Sequence, residues 1–274
     1  MVNAKLKDKL KEMLDKRQAI LAVNFYNFET LKGLLIAAHE EKQPIILQLT
    51  RSSIEYMGLQ NAYNMAKNGL EYYNLEGWIH LDHGDSDELA EQCINIGFDS
   101  VMFDGSELDF EQNIEITAKV VKYAQKFDVN VEAELGYVAK LGQSNDKVAF
   151  TEPEDAKIFV DNTGINALAV AVGSAHGFYK QEPKLDYDRI SAIRKITNTP
   201  LVLHGGSGIP PEYVRKAVYN GICKVNVATE TKNIFIETLQ NILKNNTEID
   251  LRKVFPPAID AVVNLIKTKF NILK

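Results

Sequence analysis

Eight short apolar runs recur along this chain, and the segments between them carry helical apolar spacing; that alternation limits its architecture more than any other feature. The runs are Ile20–Phe25, Pro44–Leu49, Gly77–Leu81, Ser100–Phe103, Asn130–Leu135, Ala167–Val172, Pro200–Leu203 and Ile222–Val227. They are rich in Ile, Val, Leu and Ala without clean polar alternation, the pattern of parallel strands covered by helices on their outer face. Helices are expected near Glu29–Glu40, Ser53–Leu70, Asp85–Ile96, Phe110–Phe127 and Thr229–Leu243. Eight alternations favour an α/β fold closed into a (β/α)8 TIM barrel over an open doubly wound sheet. An amphipathic segment, Leu6–Arg17, precedes the first strand, and the run Val254–Phe270 follows the eighth helix, so an extra helix is expected at each end. The length of 274 residues suits one such barrel. No linker or shift of composition divides residues 1–274, and Gly142-Gln-Ser-Asn-Asp-Lys147 reads as one long polar loop.

Charge narrows the partners. A formal net charge of −6 argues against an electrostatic hold on nucleic acid or an anionic membrane, and leaves room for a local basic pocket. No apolar run approaches the roughly 18 residues of a membrane span, and the N-terminus is charged where a secretory apolar core would stand, so a cytoplasmic location is expected. Cys93 and Cys223 form no CxxC pair and read as buried thiols.

In a barrel of this kind the C-terminal strand ends make the active face, and here they are dense in polar groups. Asn24 and Asn27 follow the first run, Thr50 and Arg51 the second, Asp82 and His83 the third and Asp104 the fourth. Glu132 and Glu134 lie on the fifth, His176 and Gly177 follow the sixth, His204-Gly-Gly-Ser-Gly208 the seventh, and Asn226-Val227-Ala228-Thr229 the eighth. A single histidine at a strand end is ordinarily a packing or hydrogen-bonding residue. Three imidazoles in one setting form a zinc ligand set that leaves a metal position open for chemistry. Gly205, Gly206 and Gly208 let the backbone turn tightly with N–H groups toward an anion, and Ser207 adds a hydroxyl, at the strand ends where such barrels commonly hold phosphate. Lys224 shares strand parity with Asn226 and faces the interior, where a desolvated lysine can form a Schiff base. Glu132 has matching parity, so a structural Glu132–Lys224 pair low in the barrel is the competing use.

The segments Ile79-His-Leu-Asp-His-Gly84, Ser100-Val-Met-Phe-Asp-Gly-Ser106, Val131-Glu-Ala-Glu-Leu-Gly136, Val172-Gly-Ser-Ala-His-Gly177, Leu201-Val-Leu-His-Gly-Gly-Ser-Gly208 and Cys223-Lys-Val-Asn-Val-Ala-Thr-Glu230 together resemble the zinc-dependent class II ketose-bisphosphate aldolases, along essentially the whole chain. That resemblance implies a (β/α)8 barrel and reversible cleavage of a ketose bisphosphate, of fructose or tagatose type, to dihydroxyacetone phosphate and an aldehyde such as glyceraldehyde 3-phosphate. It implies that His83, His176 and His204 bind Zn²⁺ and that Asp82 is the acid/base at the C3–C4 bond. Asp104 and Glu134 match a second cation position, monovalent or divalent, or alternatively fix the tautomers of the histidines by hydrogen bonds. Gly177, Lys180, Gly205, Ser207, Asn226 and Thr229 match the ketose phosphate and carbonyl site; Asn24, Thr50, Gly206, Val227 and Ala228 belong to the same substrate-binding face. Asp250-Leu-Arg252 loosely resembles an Asp-Pro-Arg segment whose arginine reaches a neighbouring subunit's substrate, which implies a homodimer or homotetramer.

Two departures stand out. The family's Gly-Gly-x-Glu-Asp loop, with its proton-transferring glutamate, is replaced by Tyr137-Val-Ala-Lys-Leu-Gly-Gln-Ser-Asn-Asp-Lys147, leaving Asp146 or Glu152 as substitutes. Ala228 stands where the fructose-bisphosphate branch tends to carry a polar residue, closer to the tagatose-bisphosphate branch. The competing readings are an aldolase for another ketose phosphate and a non-catalytic zinc-containing phosphosugar-binding barrel.

Overall fold

The computed structural model describes residues 4–136, 138, 150–179, 181–244 and 246–273. Its strands are β1 (Ile20–Asn24), β2 (Ile45–Leu49), β3 (Gly77–Gly84), β4 (Ser100–Phe103), β5 (Asn130–Leu135), β6 (Ala167–Val170), β7 (Leu201–Leu203) and β8 (Ile222–Val227). They pair in chain order, all parallel, and β8 closes on β1 through Ile20 opposite Lys224 and Ala22 opposite Asn226. The expected closed barrel is therefore the fold. The helices are α1 (Leu6–Lys16), α2 (Phe28–Glu41), α3 (Arg51–Met57), α4 (Leu59–Tyr72), α5 (Asp87–Ile96), α6 (Phe110–Ala124), α7 (Pro153–Thr163), α8 (Tyr187–Thr197), α9 (Pro211–Asn220), α10 (Thr229–Leu243), α11 (Leu251–Val254) and α12 (Pro256–Leu273). The single helix expected over Ser53–Leu70 is split, because Gly58 takes φ +79° and ends α3 before α4 begins. Among the described residues, no helix is long and apolar enough to cross a membrane.

Strand parity sorts the side chains into two cores. Leu21, Val23, Ile45, Leu47, Ile79, Leu81 and Val101 point outward and pack beneath the helices. Ile20, Ala22, Ile46, Trp78, Ala167, Ala169 and Val202 form a separate cluster inside the barrel, joined there by Leu6, Leu10 and Met13 of α1. Spacing of three to four residues puts those three side chains on one helix face, and this face plugs the N-terminal end of the barrel. The indole N–H of Trp78 donates to the carbonyl of Ala4 at 2.9 Å, tying the plug to its floor. The other terminal helix, α12, packs against α2, where a Cβ at Gly33 would stand 2.7 Å from Cγ1 of Val262.

Above the apolar floor the interior turns polar. Asn24, Gln48, His80, Asp82, Glu132, Glu134, His204, Lys224 and Asn226 are all buried. With both the floor and the outer face sealed by apolar packing, this polar interior lies under the C-terminal mouth, where a cleft of about 650 Å³ opens.

Candidate active site

Asp82 is the most heavily supported acceptor in the cleft. It lies on the inward face of β3 with Trp78 and His80, and amides from three other strands, β1, β2 and β8, converge on it. Asn24 Nδ2 donates to Oδ2 at 2.8 Å, Gln48 Nε2 to Oδ1 at 3.0 Å and Asn226 Nδ2 to Oδ1 at 3.3 Å. Burial opposes its ionisation, but the charges of His83, His204 and Lys224 and the Asn24 hydrogen bond outweigh that and hold the carboxyl below the usual aspartate value. The acceptor oxygens of Asn24, Gln48 and Asn226 are buried without hydrogen-bond partners, so the amides are directed at the carboxylate by their N–H ends.

Simple alternation would send His83, next in sequence, outward. Instead it adopts φ +48°, in the left-handed region, where β3 and β4 shift register between Leu81 and Gly84. The irregularity places two consecutive side chains on the cleft side. Gly84 is packed so closely that a Cβ would lie 2.4 Å from the Met102 carbonyl oxygen, so glycine is needed beside the distortion.

The three histidines come together as expected. Their ligand-capable nitrogens fall within 4.8 Å of one another. His83 Nδ1 lies 2.6 Å from Asp104 Oδ2, and His204 Nε2 lies 2.9 Å from Glu132 Oε1. Ionised carboxylates only accept, so both imidazoles direct a proton away from the centre and present their other nitrogen to it. Those nitrogens, His83 Nε2 and His204 Nδ1, are 3.1 Å apart. Two lone pairs at that distance repel unless a proton or a metal ion lies between them. Metal–nitrogen bonds of about 2.0–2.1 Å in a tetrahedron give an edge of roughly 3.3 Å, so the donor set fits a metal ion.

The carboxylates around this centre favour positive charge there, whether of a proton or of a metal ion. Burial opposes a positive charge on His204, yet Glu132 and Glu134 outweigh it and push its pKa up to about 10. His83 is likewise raised against burial by Asp82 and Asp104, whereas burial and the two neighbouring imidazoles hold His176 down to about 3. Glu134 Oε2 is buried and lies 3.2 Å from His204 Nδ1, a carboxylate oxygen facing the same centre. Asp104, its second oxygen held by the Ser106 N–H and hydroxyl, has the geometry of a partner that orients His83.

At the β7 and β8 side, Gly177, Gly205, Ser207, Ala228 and Thr229 line the cleft. Ser207 Oγ accepts from the backbone N–H groups of Ala228 and Glu230 at the start of α10, leaving its own proton free for an anion. The glycine turn departs from expectation in one respect. The N–H of Gly206 donates to the Asn226 carbonyl and that of Gly208 to the Glu230 carboxylate, so neither is free for a ligand. Gly206 and Val227 are buried and are absent from the lining of the cleft, Val227 packing in the outer core beneath the helices. Asn27 caps α2 in a reciprocal pair with Thr30, and Thr50 both caps α3 and lines the cleft.

Other expected residues fall elsewhere. Lys224 is fully buried, 2.7 Å from Glu132 Oε2 and 3.2 Å from His80 Nε2, beneath the cleft; the structural pair is present and its amine has no path to a substrate carbonyl. Glu152 pairs with Arg189 at 2.8 Å and is not among the residues that line the cleft. Asp146 and Lys180 lie outside the described residues. Arg252 is exposed and donates to Asp250 of its own chain, away from its own cleft. Sequence reasoning missed Gln48, whose signal was its strand parity opposite Asn24, and Lys232, one helical turn after Thr229, which lines the cleft with its ammonium 5.2 Å from the Tyr26 ring centroid.

With this geometry in place, similarity to known proteins is specific. The profile of the family described as fructose-bisphosphate aldolase class-II matches residues 4–274. A fructose-bisphosphate aldolase of Geobacillus stearothermophilus is 41% identical over 265 residues, covering 94% of this chain and 92% of the relative. The crystal structure of the YdjI aldolase from Escherichia coli K12 superposes with a TM-score of 0.89 at 29% identity, covering 99% of this chain and 97% of that one. A Campylobacter jejuni fructose-bisphosphate aldolase structure shares the fold, with a TM-score of 0.77 at 22% identity over 98% of this chain and 93% of its own. The chain belongs to the class II fructose-bisphosphate aldolase family and is a carbon–carbon lyase of that class.

Proposed function

We propose that the protein reversibly cleaves a ketose 1,6-bisphosphate, of fructose or tagatose type, to dihydroxyacetone phosphate and glyceraldehyde 3-phosphate, with Zn²⁺ held by His83, His176 and His204. The observation that carries this reading is the pair of converging imidazole nitrogens, His83 Nε2 and His204 Nδ1 at 3.1 Å, on the same cleft wall as the triply supported Asp82 carboxylate. Bound Zn²⁺ supplies Lewis acidity toward the ketose oxygens.

The chain's own residues account for the C4 side of the cleavage and for holding the substrate. Cleavage turns the C4 hydroxyl into an aldehyde, so that proton must leave as the C3–C4 bond breaks. Asp82 receives it, and returns it in condensation; its three amide donors fix the orientation of the acceptor and favour its ionised form. Asp104 holds His83 in the tautomer that presents Nε2, and Glu134 adds a carboxylate oxygen facing the cation. The ketose phosphate lies against Gly177, Gly205, Ser207 and the N-terminus of α10 at Thr229, where helix dipole and hydroxyl both favour an anion. Lys232 adds a positive charge to the same cleft. Ala228 leaves an apolar wall beside Asn226, a feature expected to bear on the C4 epimer that is accepted.

The test combines metal analysis with turnover. Dialysis against a chelator should abolish cleavage and Zn²⁺ should restore it. Alanine at His83, His176 or His204 should each lower metal content, and borohydride with substrate should leave Lys224 unlabelled. Full zinc occupancy in all three variants, or a trapped adduct at Lys224, would overturn the reading. A panel of fructose, tagatose and other ketose phosphates then ranks kcat/KM.

A further inference from the structure

Between the apolar floor and His204 the barrel encloses a chain of polar side chains that the reaction does not touch. His80, Ser100, Asn130, Glu132 and Lys224 are each no more than 2% exposed. Burying a carboxylate and an ammonium is costly, and an apolar pair of equal volume commonly leaves a protein as stable or more so. Stability alone is therefore a poor account of this pair.

The donors diverge from Lys224 and converge on Ser100 and Glu132. Asn130 Nδ2 donates to Ser100 Oγ at 2.8 Å, and His80 Nδ1 lies 2.7 Å from that same oxygen. With its Nδ1–H directed at Ser100, His80 offers Nε2 as an acceptor to Lys224 Nζ, 3.2 Å away. Lys224 in turn donates to Glu132 Oε2 at 2.7 Å. A carboxylate paired with an ammonium is ionised and only accepts. Its other oxygen, Oε1, stands 2.9 Å from His204 Nε2, so that nitrogen carries the imidazole proton. The lone pair of His204 is thereby left on Nδ1, which faces His83 Nε2 and Glu134.

We infer that Glu132 is a positioning residue that fixes the tautomer and ring orientation of His204, and that Lys224, braced by His80, fixes Glu132, so that a charge relay buried under the cleft sets the metal-binding face of a ligand. The inference rests on the metal-ligand role of His204 proposed above. Asp104 does the same for His83 from the rim, where it is partly exposed; the Glu132 arm differs in being wholly shielded from solvent, so its geometry does not depend on water.

The test uses the full-length protein with Glu132→Gln and with the double variant Glu132→Gln/Lys224→Met. The double variant removes both charges together and avoids the uncompensated ammonium that the single variant leaves buried, so it supplies folded protein where the single one does not. Thermal melting and circular dichroism establish folding, zinc affinity is read by competition with a chromophoric chelator, and Co²⁺ bound in place of zinc reports ligand geometry through its visible absorption bands. The expected result is an affinity loss of about 10–100-fold together with shifted Co²⁺ bands in the folded variants. His204→Ala, measured alongside, separates the two claims. If His204→Ala loses metal while the Glu132 variants keep both affinity and Co²⁺ spectrum, the positioning role is wrong and the ligand assignment stands. If His204→Ala binds metal as the parent does, the ligand assignment fails and this inference falls with it.

Discussion

Gln48 donates its side-chain amide to Oδ1 of Asp82 at 3.0 Å from the adjacent strand, and it is fully buried while doing so. Register pairs Gln48 with Asn24, whose own amide holds the other oxygen of the same carboxylate at 2.8 Å. The carboxylate is thus gripped from two strands on one side, and Asn226 closes the grip from β8. Hydrogen bonds to a charged group are worth about 1.5–3 kcal/mol. Gln48→Ala is accordingly expected to lower kcat by about 10–100-fold while metal content stays that of the parent. Steady-state kinetics beside metal analysis checks it; a kcat within two-fold would show that Asn24 and Asn226 suffice.

Asp82 itself should behave as a proton-transfer group. Asp82→Ala is expected to lose about 10²–10⁴-fold in cleavage, the range of a general acid or base. Zinc should remain, because its expected ligands come from three other side chains. Loss of metal together with activity would instead make Asp82 part of the ion's own support, a result that metal analysis of the purified variant decides directly.

The plug at the other end of the barrel offers a contrast. Leu10 is wholly buried in the internal apolar cluster with Trp78 and Ile46, far below the groups that face the cleft. Leu10→Ala should cost about 2–5 kcal/mol of stability by loss of transfer energy and creation of a cavity. Urea unfolding reads that cost. At a temperature where the variant is folded, its KM should match the parent, since no cleft residue touches Leu10; an altered KM would mean that the floor sets the mouth.

The alternation of apolar runs made the closed barrel legible, because each strand is buried on both faces and each helix on one. Position at the strand ends was enough to place Asn24 and Asp82 at the cleft, and parity to turn Asn226 inward and to pair Glu132 with Lys224. Parity was not enough for His83, which reaches the cleft only through a left-handed backbone and a register shift that no residue pattern in Leu81-Asp-His-Gly84 announces. Nor did it show that Gly206 and Gly208 commit their N–H groups within the protein, since those partners, Asn226 and Glu230, come from another strand and the helix that follows it. Gln48 went unnoticed for a related reason: a glutamine in an apolar run carries no chemistry of its own until a carboxylate from the neighbouring strand stands opposite it.

Arg252 poses the remaining question of assembly. Its side chain is 89% exposed and held at 3.0 Å by Asp250, which caps α11, so its direction is fixed although nothing in its own chain's cleft uses it. An exposed guanidinium with a set direction is suited to grip phosphate oxygens in a fork, from outside its own subunit. If it completes a neighbour's substrate site, the protein is at least a homodimer in solution. Arg252→Ala then raises KM for a ketose bisphosphate much more than for the corresponding monophosphate, with kcat for the monophosphate little changed. Light scattering gives the subunit number and the paired kinetics give the contrast. Equal effects on the two substrates, or a fully active monomer, would leave Arg252 as a solvated surface charge paired with the Asp250 that caps its own helix.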